Sequence, residues 1–286
     1  MTTRNHLAPT RLFDGYAFDL DGTVHIGGTP LPGAAQTIAG IRRAGRPVVF
    51  VTNNPLHSAA DYSRQLRDLG IEATLSDVVT ATDALVSYLT SAHPTSRLLI
   101  IGEELLRGTL AAAGFGLTDQ PGAADVVVVS FDRTFDYAKL LAAYRAVRLH
   151  GARLVATNPD PYCPTPDGGL PDCAAMLAAV EACTGATAEA IVGKPSRQMA
   201  AAVLDRLGTG SAGAAGAVMV GDRLATDMAM ARGAGMTGVL VLTGATSQAD
   251  LTAAEPGSLP DYIIETLPEL LPEPTGRDVS TSSATR

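Results

Sequence analysis

Short apolar runs alternate with helix-like stretches along most of the chain. Eight of the runs have the length and aliphatic content of buried strands, at 16–19, 48–51, 98–101, 126–129, 154–156, 218–220, 239–242 and 262–264. Six of the stretches between them are predicted helices, at 34–44, 58–69, 137–149, 173–183, 196–207 and 225–232. This alternation is typical of an α/β protein with a mostly parallel sheet, in which ligands bind at the carboxyl edge of the strands.

The composition is that of a folded protein with one large domain or two domains of ordinary size. Of the 286 residues, 46% are hydrophobic and 17% are charged. Two segments depart from this average, because one consists mainly of small residues and the other mainly of polar residues. Residues 208–217 are predicted to form a flexible surface loop, and residues 273–286 a disordered tail.

Charge and hydropathy exclude several partners. The net charge of −8 repels a phosphate backbone and no basic patch offsets it, so nucleic acid is not expected to bind. No apolar run approaches the roughly 18–20 residues that cross a bilayer, and the N-terminus lacks the apolar stretch of a signal peptide. A cytoplasmic location without a membrane partner is predicted. Cys163, Cys173 and Cys183 form no CxxC pair, so they are predicted to be reduced thiols.

Two carboxylates follow the first predicted strand. Asp19 and Asp21 precede Gly22 and Thr23, where the chain must turn. Carboxylates two residues apart in a loop can take different roles, one towards a metal and a substrate and the other towards a leaving group. The alternative is a structural Asx-turn, which uses the same residue types.

Hydrogen-bond donors end the second strand. Thr52, Asn53 and Asn54 could donate to phosphoryl oxygens, and the alternative is that they cap the helix predicted to begin near residue 58. Further along, Lys194 precedes Pro195 and offers a cation on a rigid turn, although most lysines are simply solvated.

A second acidic pair follows the strand at 218–220. Asp222 ends this strand, and Asp227 lies about one helical turn beyond it, so both side chains can face the same side. Hard oxygen ligands of this kind suit Mg²⁺. Together, the four segments supply a nucleophile, a proton donor, an anion-binding cation and a metal site, which is what phosphoryl transfer requires.

The four segments also carry a family resemblance. DLDGT, VTNN, GKPS and GDRLATD resemble, in this order, the four motifs of the haloacid dehalogenase-like (HAD) superfamily. The long insert between the second and third motifs resembles that of subfamily IIA, the C2-capped phosphatases related to nitrophenyl phosphatase. The likeness extends over about residues 13–271. It implies a Rossmann-like catalytic core at 1–82 and 184–272, with an inserted α/β C2-type cap at 83–183 that closes over the site and determines specificity.

The resemblance assigns roles to the motif residues. It implies that Asp19 attacks phosphorus to form an aspartyl-phosphate, and that Asp21 protonates the leaving alkoxide and then activates water. Mg²⁺ would be held by the Asp19 side chain, the Asp21 carbonyl and the Asp222 side chain, with support from Asp227. Thr52, Asn53 and Lys194 would surround the phosphoryl oxygens.

Other residues near the motifs are weaker candidates. Asn54 and Arg223 are neighbours of the site, and His25 either reaches it or is an ordinary loop histidine. Ala225 stands where the family often has an acidic or amide side chain. In the cap, the residues to inspect for specificity are Asp132, Arg133, Asn158, Asp160 and the turn at 171–173.

The turn at 171–173 departs from the commoner PGxG form of the family. Asp172 stands there and either binds substrate hydroxyls, which favours a sugar or polyol phosphate, or caps the following helix.

The predicted function is therefore a Mg²⁺-dependent phosphomonoesterase of a small phosphorylated metabolite, with a sugar or polyol phosphate favoured. A phosphotransferase or phosphomutase with the same chemistry is the nearest alternative, and a non-catalytic sensor of phosphorylated metabolites is the alternative from another class. The total length and the insert do not suit a receiver-type signalling domain. The resemblance also implies a homodimer formed through the cap.

Overall fold

The computed structural model describes residues 7–165 and 168–272. The tail predicted to be disordered, at 273–286, lies outside these residues. The strands are β1 (Gly15–Asp19), β2 (His25–Ile26), β3 (Thr29–Pro30), β4 (Val48–Thr52), β5 (Val78–Thr80), β6 (Arg97–Ile101), β7 (Gly116–Leu117), β8 (Val126–Val129), β9 (Arg153–Ala156), β10 (Tyr162–Thr165), β11 (Gly168–Pro171), β12 (Ala190–Ile191), β13 (Ala217–Gly221), β14 (Thr237–Val241) and β15 (Tyr262–Ile264).

The α-helices lie mainly between consecutive strands of two sheets. They are α1 (Ala34–Arg43), α2 (Ala59–Asp68), α3 (Ala81–Ala92), α4 (Glu104–Ala112), α5 (Tyr137–Tyr144), α6 (Cys173–Thr184), α7 (Arg197–Arg206), α8 (Ala229–Ala234) and α9 (Gln248–Ala253). Short π-helical turns at Arg145–Leu149 and Leu224–Met228 adjoin α5 and α8. No helix within 7–165 and 168–272 is long and apolar enough to cross a membrane.

The first sheet has six parallel strands in the order β15-β14-β13-β1-β4-β5. In its centre, Ala17 of β1 pairs with Met219 of β13 and with Val49 of β4. All five residues of β1 are buried, which requires that both faces of the sheet are covered. The motif residues at the ends of β1, β4 and β13 therefore lie side by side.

The two faces of this sheet form two apolar cores. Phe18 and Phe50 point to the face covered by α1 and α2, where Ile38 and Leu66 pack. Val49 and Met219 are among the residues of the opposite face, which is covered by α3 and α7. Full burial of one large apolar side chain contributes about 1.5–3 kcal/mol, so this double packing fixes the central strands firmly.

The second sheet is formed by the chain between β5 and α7. Its five parallel strands have the order β12-β9-β8-β6-β7, and α5 and α6 cover one face. The Rossmann-like α/β fold with an inserted α/β unit is thereby confirmed. The boundaries at 82/83 and 183/184 stay a prediction. Strand Ala190–Ile191 belongs to the second sheet although it lies beyond residue 183.

Each predicted strand and helix has a counterpart, but several elements were not predicted. Helix α3 follows β5 directly, with a capping box formed by Thr80 and Asp83, and α4 follows β6. The flexible loop predicted at 208–217 is wrong in part, because Ser211–Gly216 forms a 3₁₀ helix. Ala214 within it is buried in the core, and this packing orders a segment that composition alone marks as a linker.

Candidate active site

Residues from all four motifs line one cavity at the carboxyl edge of the first sheet, and Asp222 and Asp227 lie beside it, close to Asp19, without lining it. Because β1, β4 and β13 are parallel neighbours, Asp19, Thr52 and Asp222 occupy adjacent positions along this edge. The cavity holds about 40 Å³ of space for solvent. The residues that line it are Asp19, Asp21, Thr52, Asn53, Asn54, Asp160, Tyr162, Cys163, Asp172, Lys194, Arg223 and Thr226.

Lys194 joins two buried carboxylates. Its Nζ donates to Oδ1 of Asp227 at 2.7 Å and also to Oδ1 of Asp19, and all three side chains are buried. Burial raises the pKa of Asp19 and of Asp227, and the Lys194 ammonium opposes this rise. Burial alone would lower the pKa of Lys194, but the two carboxylates raise it above its usual value. Lys194 is therefore a permanent cation here and not a solvated surface lysine.

Asp222 offers a buried oxygen to a ligand. Its Oδ2 accepts a hydrogen bond from the Ala245 amide at 2.5 Å, whereas its buried Oδ1 has no hydrogen-bond partner among the described residues. Burial, followed by the charges of Asp19 and Asp227, raises the pKa of Asp222 to about 8. One carboxylate oxygen from each of these three residues lies within 4.8 Å of the others. Such a set fits a hard divalent cation, which would satisfy the orphaned oxygen and offset the repulsion.

Glycine at position 22 allows the first motif to approach Asp222. Gly22 has φ +94°, and a Cβ there would lie 2.6 Å from Oδ2 of Asp222. Thr243 donates from its hydroxyl to the Gly22 carbonyl at 2.6 Å, so the loop after β14 holds this turn in place. The DLDGT segment thus packs closely against Asp222 and the loop after β14.

Asp21 lies apart from the three clustered carboxylates. Its side chain lines the cavity, and its Oδ1 is 3.5 Å from Nδ1 of His25. His25 is buried, with a pKa lowered by that burial, so it is not an exposed loop histidine. It does not line the cavity. Asp21 therefore has access to a ligand and lies near His25.

The residues at the end of β4 connect parts of the site. The Asn53 side chain accepts from the Lys194 amide at 2.7 Å and donates to the Lys194 carbonyl at 3.1 Å and to Oδ2 of Asp160 at 2.8 Å. Thr52 Oγ1 accepts from the Asn54 amide at 3.1 Å. Helix α2 is capped by Ser58, so the alternative that residues 52–54 cap a helix is wrong. Asn53 positions Lys194, and its predicted contact with substrate stays a prediction.

The stretch between β9 and α6 covers the cavity. It contributes Asp160, Tyr162, Cys163 and Asp172. Arg223 reaches this stretch from the other side, donating to Oδ1 of Asp160 at 3.4 Å and to the Tyr162 carbonyl at 3.1 Å. Its guanidinium carbon also lies 5.1 Å from the centre of the Tyr162 ring. Arg223 is therefore a link between the two sheets, which the motif alone did not reveal.

Asp172 caps a helix, which is one of the two roles predicted from the sequence, and it also lines the cavity. It is the N-cap of α6 and accepts from the Cys173 amide at 2.5 Å. Its side chain is buried and lines the same cavity as Asp19 and Asp21. Burial raises the pKa of Asp172 to about 7. The two interpretations of this residue are thus compatible.

Three of the candidates in the cap do not line the cavity. Asn158 is buried and donates to the Asn53 carbonyl at 3.1 Å, which makes it a support for β4. Asp132 is paired with Lys139 at 2.5 Å, and Arg133 with Glu103 at 2.7 Å. The charged groups of Asp132 and Arg133 are thus paired with neighbours in the part of the chain that contains the second sheet.

Sequence reasoning missed Tyr162, Cys163 and Thr226 as lining residues. Tyr162 and Cys163 lie in a proline-rich stretch without helical or strand periodicity, so no pattern shows which way their side chains point. Thr226 precedes Asp227 in the fourth motif, and its proximity to that carboxylate was the available signal.

Comparison with known proteins agrees with this arrangement. The haloacid dehalogenase-like hydrolase family matches residues 16–116, and the HAD-hydrolase-like family matches residues 191–270. The sugar phosphatase of Bacillus subtilis is 34% identical over 256 residues, which are 90% of this chain and 91% of that protein.

Solved structures are similar over nearly the whole chain. A p-nitrophenyl phosphatase from Archaeoglobus fulgidus has a TM-score of 0.82 at 30% identity, covering 91% of this chain and 98% of that one. A glycerol phosphate phosphatase from Mycobacterium tuberculosis, in complex with magnesium, has a TM-score of 0.80 at 37% identity, covering 90% and 77%. The chain therefore belongs to the haloacid dehalogenase-like hydrolases and is one of their nitrophenyl-phosphatase-like phosphatases.

Proposed function

We propose that this phosphatase hydrolyses the phosphate monoesters of small sugars or polyols, with Mg²⁺, through an aspartyl-phosphate on Asp19. The observation that carries the proposal is the position of Asp19, which lines the cavity, contacts the Lys194 ammonium and has a carboxylate oxygen within 4.8 Å of one of Asp222. A nucleophile, a fixed cation and a cation-binding carboxylate thus lie close together beside one cavity.

In the first chemical step, a carboxylate oxygen of Asp19 attacks phosphorus, and the bond from phosphorus to the ester oxygen breaks. Asp21, which lines the cavity beside Asp19, gives its proton to the departing alkoxide. In the second step, Asp21 takes a proton from water, whose oxygen attacks the same phosphorus. Inorganic phosphate leaves, and the Asp19 carboxylate is restored.

Lys194 and Thr52 serve these steps electrostatically. Both line the cavity, where their positive and hydroxyl groups would face the phosphoryl oxygens as negative charge moves onto the leaving group. Mg²⁺ would be held by Asp19, Asp222 and the Asp21 carbonyl, with Asp227 in support, and it would supply charge that lets two anions approach.

The substrate class follows from the polarity of the cavity. Charged and amide side chains form most of its lining, so a short polar alcohol fits better than a nucleoside or a pyridoxal ring. The names of two relatives, a sugar phosphatase and a glycerol phosphate phosphatase, support the same class. A cytoplasmic location and a homodimer through the cap stay predictions.

The test is the release of inorganic phosphate from a panel of esters, with and without Mg²⁺. The panel contains glycerol 3-phosphate, hexose phosphates, a nucleoside monophosphate, pyridoxal phosphate and p-nitrophenyl phosphate. We expect metal-dependent release, highest for the polyol and sugar esters and abolished by Asp19→Asn. The matched control is Asp205→Asn, at an exposed position near the end of α7 and outside the cavity lining.

Transfer of phosphate to an added alcohol, with no release to water, would replace this proposal with a phosphotransferase. Binding of the esters by a folded protein without either reaction would indicate the sensor.

A further inference from the structure

Two carboxylates of the stretch between β9 and α6 line the cavity, and their surroundings differ. Asp160 has both oxygens engaged by the other sheet, since Asn53 donates to Oδ2 and Arg223 to Oδ1. These contacts hold the stretch against the first sheet. Asp160 is therefore occupied as a structural link between the two parts of the site.

Asp172 has acceptor capacity left over. Among the described residues, its hydrogen-bond donors are the Cys173 amide at 2.5 Å and the side chain of Asn158, both from the chain that runs from β9 into α6. Above its pKa of about 7 the group is ionised and can accept at about four lone-pair positions, so about two remain for a ligand. The side chain is only 3% exposed, so these positions have little access to water.

The position of Asp172 also suits contact with a leaving group. It shares one small cavity with Asp19 and Asp21, the proposed nucleophile and acid, but it belongs to the chain between β9 and α6, whereas they follow β1. An ester whose phosphoryl group is at Asp19 would place its alcohol part in the rest of this cavity, which Asp172 lines. An apolar alcohol would leave a buried carboxylate without partners, which is costly, whereas a hydroxyl would donate to it.

We propose that Asp172 determines specificity by accepting a hydrogen bond from a free hydroxyl of the leaving alcohol, while it also caps α6. This inference rests on the proposed phosphatase function and narrows the substrate class to esters that carry a hydroxyl near the phosphorylated carbon. It concerns the position where this chain departs from the PGxG pattern.

The test compares glycerol 3-phosphate with propyl phosphate, which has the same carbon chain without hydroxyls, at a pH above about 7 where Asp172 is ionised. The variant is Asp172→Ser, because serine is an equally good N-cap but has no carboxylate. We expect the wild type to prefer glycerol 3-phosphate in kcat/KM by about 10- to 100-fold, the range for a hydrogen bond to a charged group. In Asp172→Ser this ratio falls to within about threefold of unity.

The matched control is Asp160→Ser, which removes the other cavity carboxylate of the stretch between β9 and α6. Because Asp160 links the two parts of the site, we expect this variant to lower kcat/KM for both esters by the same factor. The ratio between the two esters should therefore stay at the wild-type value. Thermal unfolding of each variant checks that the fold is intact.

Calorimetry provides a readout that does not depend on turnover. It measures the affinities of both esters for the Asp19→Asn variant and for the double variant that also carries Asp172→Ser. If the wild type hydrolyses neither ester but Asp172→Ser abolishes the preference in affinity, the phosphatase proposal fails and the Asp172 assignment stands. A preference that survives Asp172→Ser in the affinities, or no preference in Asp19→Asn itself, overturns the assignment.

Discussion

The ammonium of Lys194 donates a 2.7 Å hydrogen bond to Oδ1 of Asp227, and both side chains are buried. The same ammonium contacts Asp19, so a single cation is paired with two carboxylates from different motifs. The third and fourth motifs are thus tied to the first through one side chain. Removing that side chain should affect both stability and activity.

Replacement of Lys194 by methionine should abolish measurable phosphatase activity and lower the free energy of unfolding by about 3–5 kcal/mol, because it leaves two buried carboxylates without a counter-charge. Urea unfolding and phosphate release measure the two effects. Arg64→Met, at an exposed position, serves as control and should change neither by much. A Lys194→Met protein with wild-type stability would contradict the buried ion network.

Mg²⁺ should stabilise the protein through Asp222. At a free concentration 100 times the dissociation constant, binding to the folded state alone adds about 2.7 kcal/mol, which appears as a higher unfolding temperature. We expect Asp222→Asn to lose most of this increase, since it replaces the buried unpartnered oxygen. Thermal unfolding with EDTA or Mg²⁺ provides the measurement, and Asp205→Asn should respond like the wild type.

Asp172 should make stability depend on pH. Its pKa of about 7 in the folded state exceeds the ordinary value of 3.8, so the folded protein keeps a proton that the unfolded chain loses. The resulting stabilisation is complete below about pH 4 and is lost as pH rises to about 7. Asp172→Asn retains the cap and cannot titrate. Between about pH 4 and pH 7, its free energy of unfolding, measured in urea, should therefore fall by less than that of the wild type, with a difference on the order of 2–4 kcal/mol. Equal slopes in both proteins would refute the prediction.

Arg223 should contribute to closure over the cavity. Arg223→Met removes its hydrogen bonds to Asp160 and to the Tyr162 carbonyl, so we expect kcat/KM to fall about 10-fold or more, in line with about 1.5–3 kcal/mol for a charged hydrogen bond. This fall in kcat/KM is measured by steady-state kinetics with the ester of the panel that the wild type hydrolyses most efficiently. Arg133→Met, which breaks an ion pair away from the cavity, should leave kcat/KM near the wild-type value.

Much of the architecture was available from the sequence. Buried strands such as Gly15–Asp19 and Val48–Thr52 are continuous apolar runs, and a polar residue after each run marks its carboxyl end. These are local signals, because the strand and the turn depend on neighbouring residues only. The α/β fold and the family followed from them, and both predictions are confirmed.

Other features needed the tertiary structure. Asn53 looked like a free donor, yet its amide contacts Lys194 and Asp160, which are more than 100 residues away along the chain. Asp172 could be interpreted as a cap or as a binding residue, and packing placed it in both positions. Contacts between distant segments depend on how two sheets meet, and no local pattern records that.

The strands, the motifs and the family could be predicted from the sequence, because apolar runs and motif spacing are patterns of residues close together in the chain. Two features of the site required the tertiary structure: Lys194 lies between Asp19 and Asp227, and Asp222 keeps a buried oxygen free of partners within the described chain. The physical reason is that burial and electrostatic pairing depend on which distant groups share a low-dielectric space.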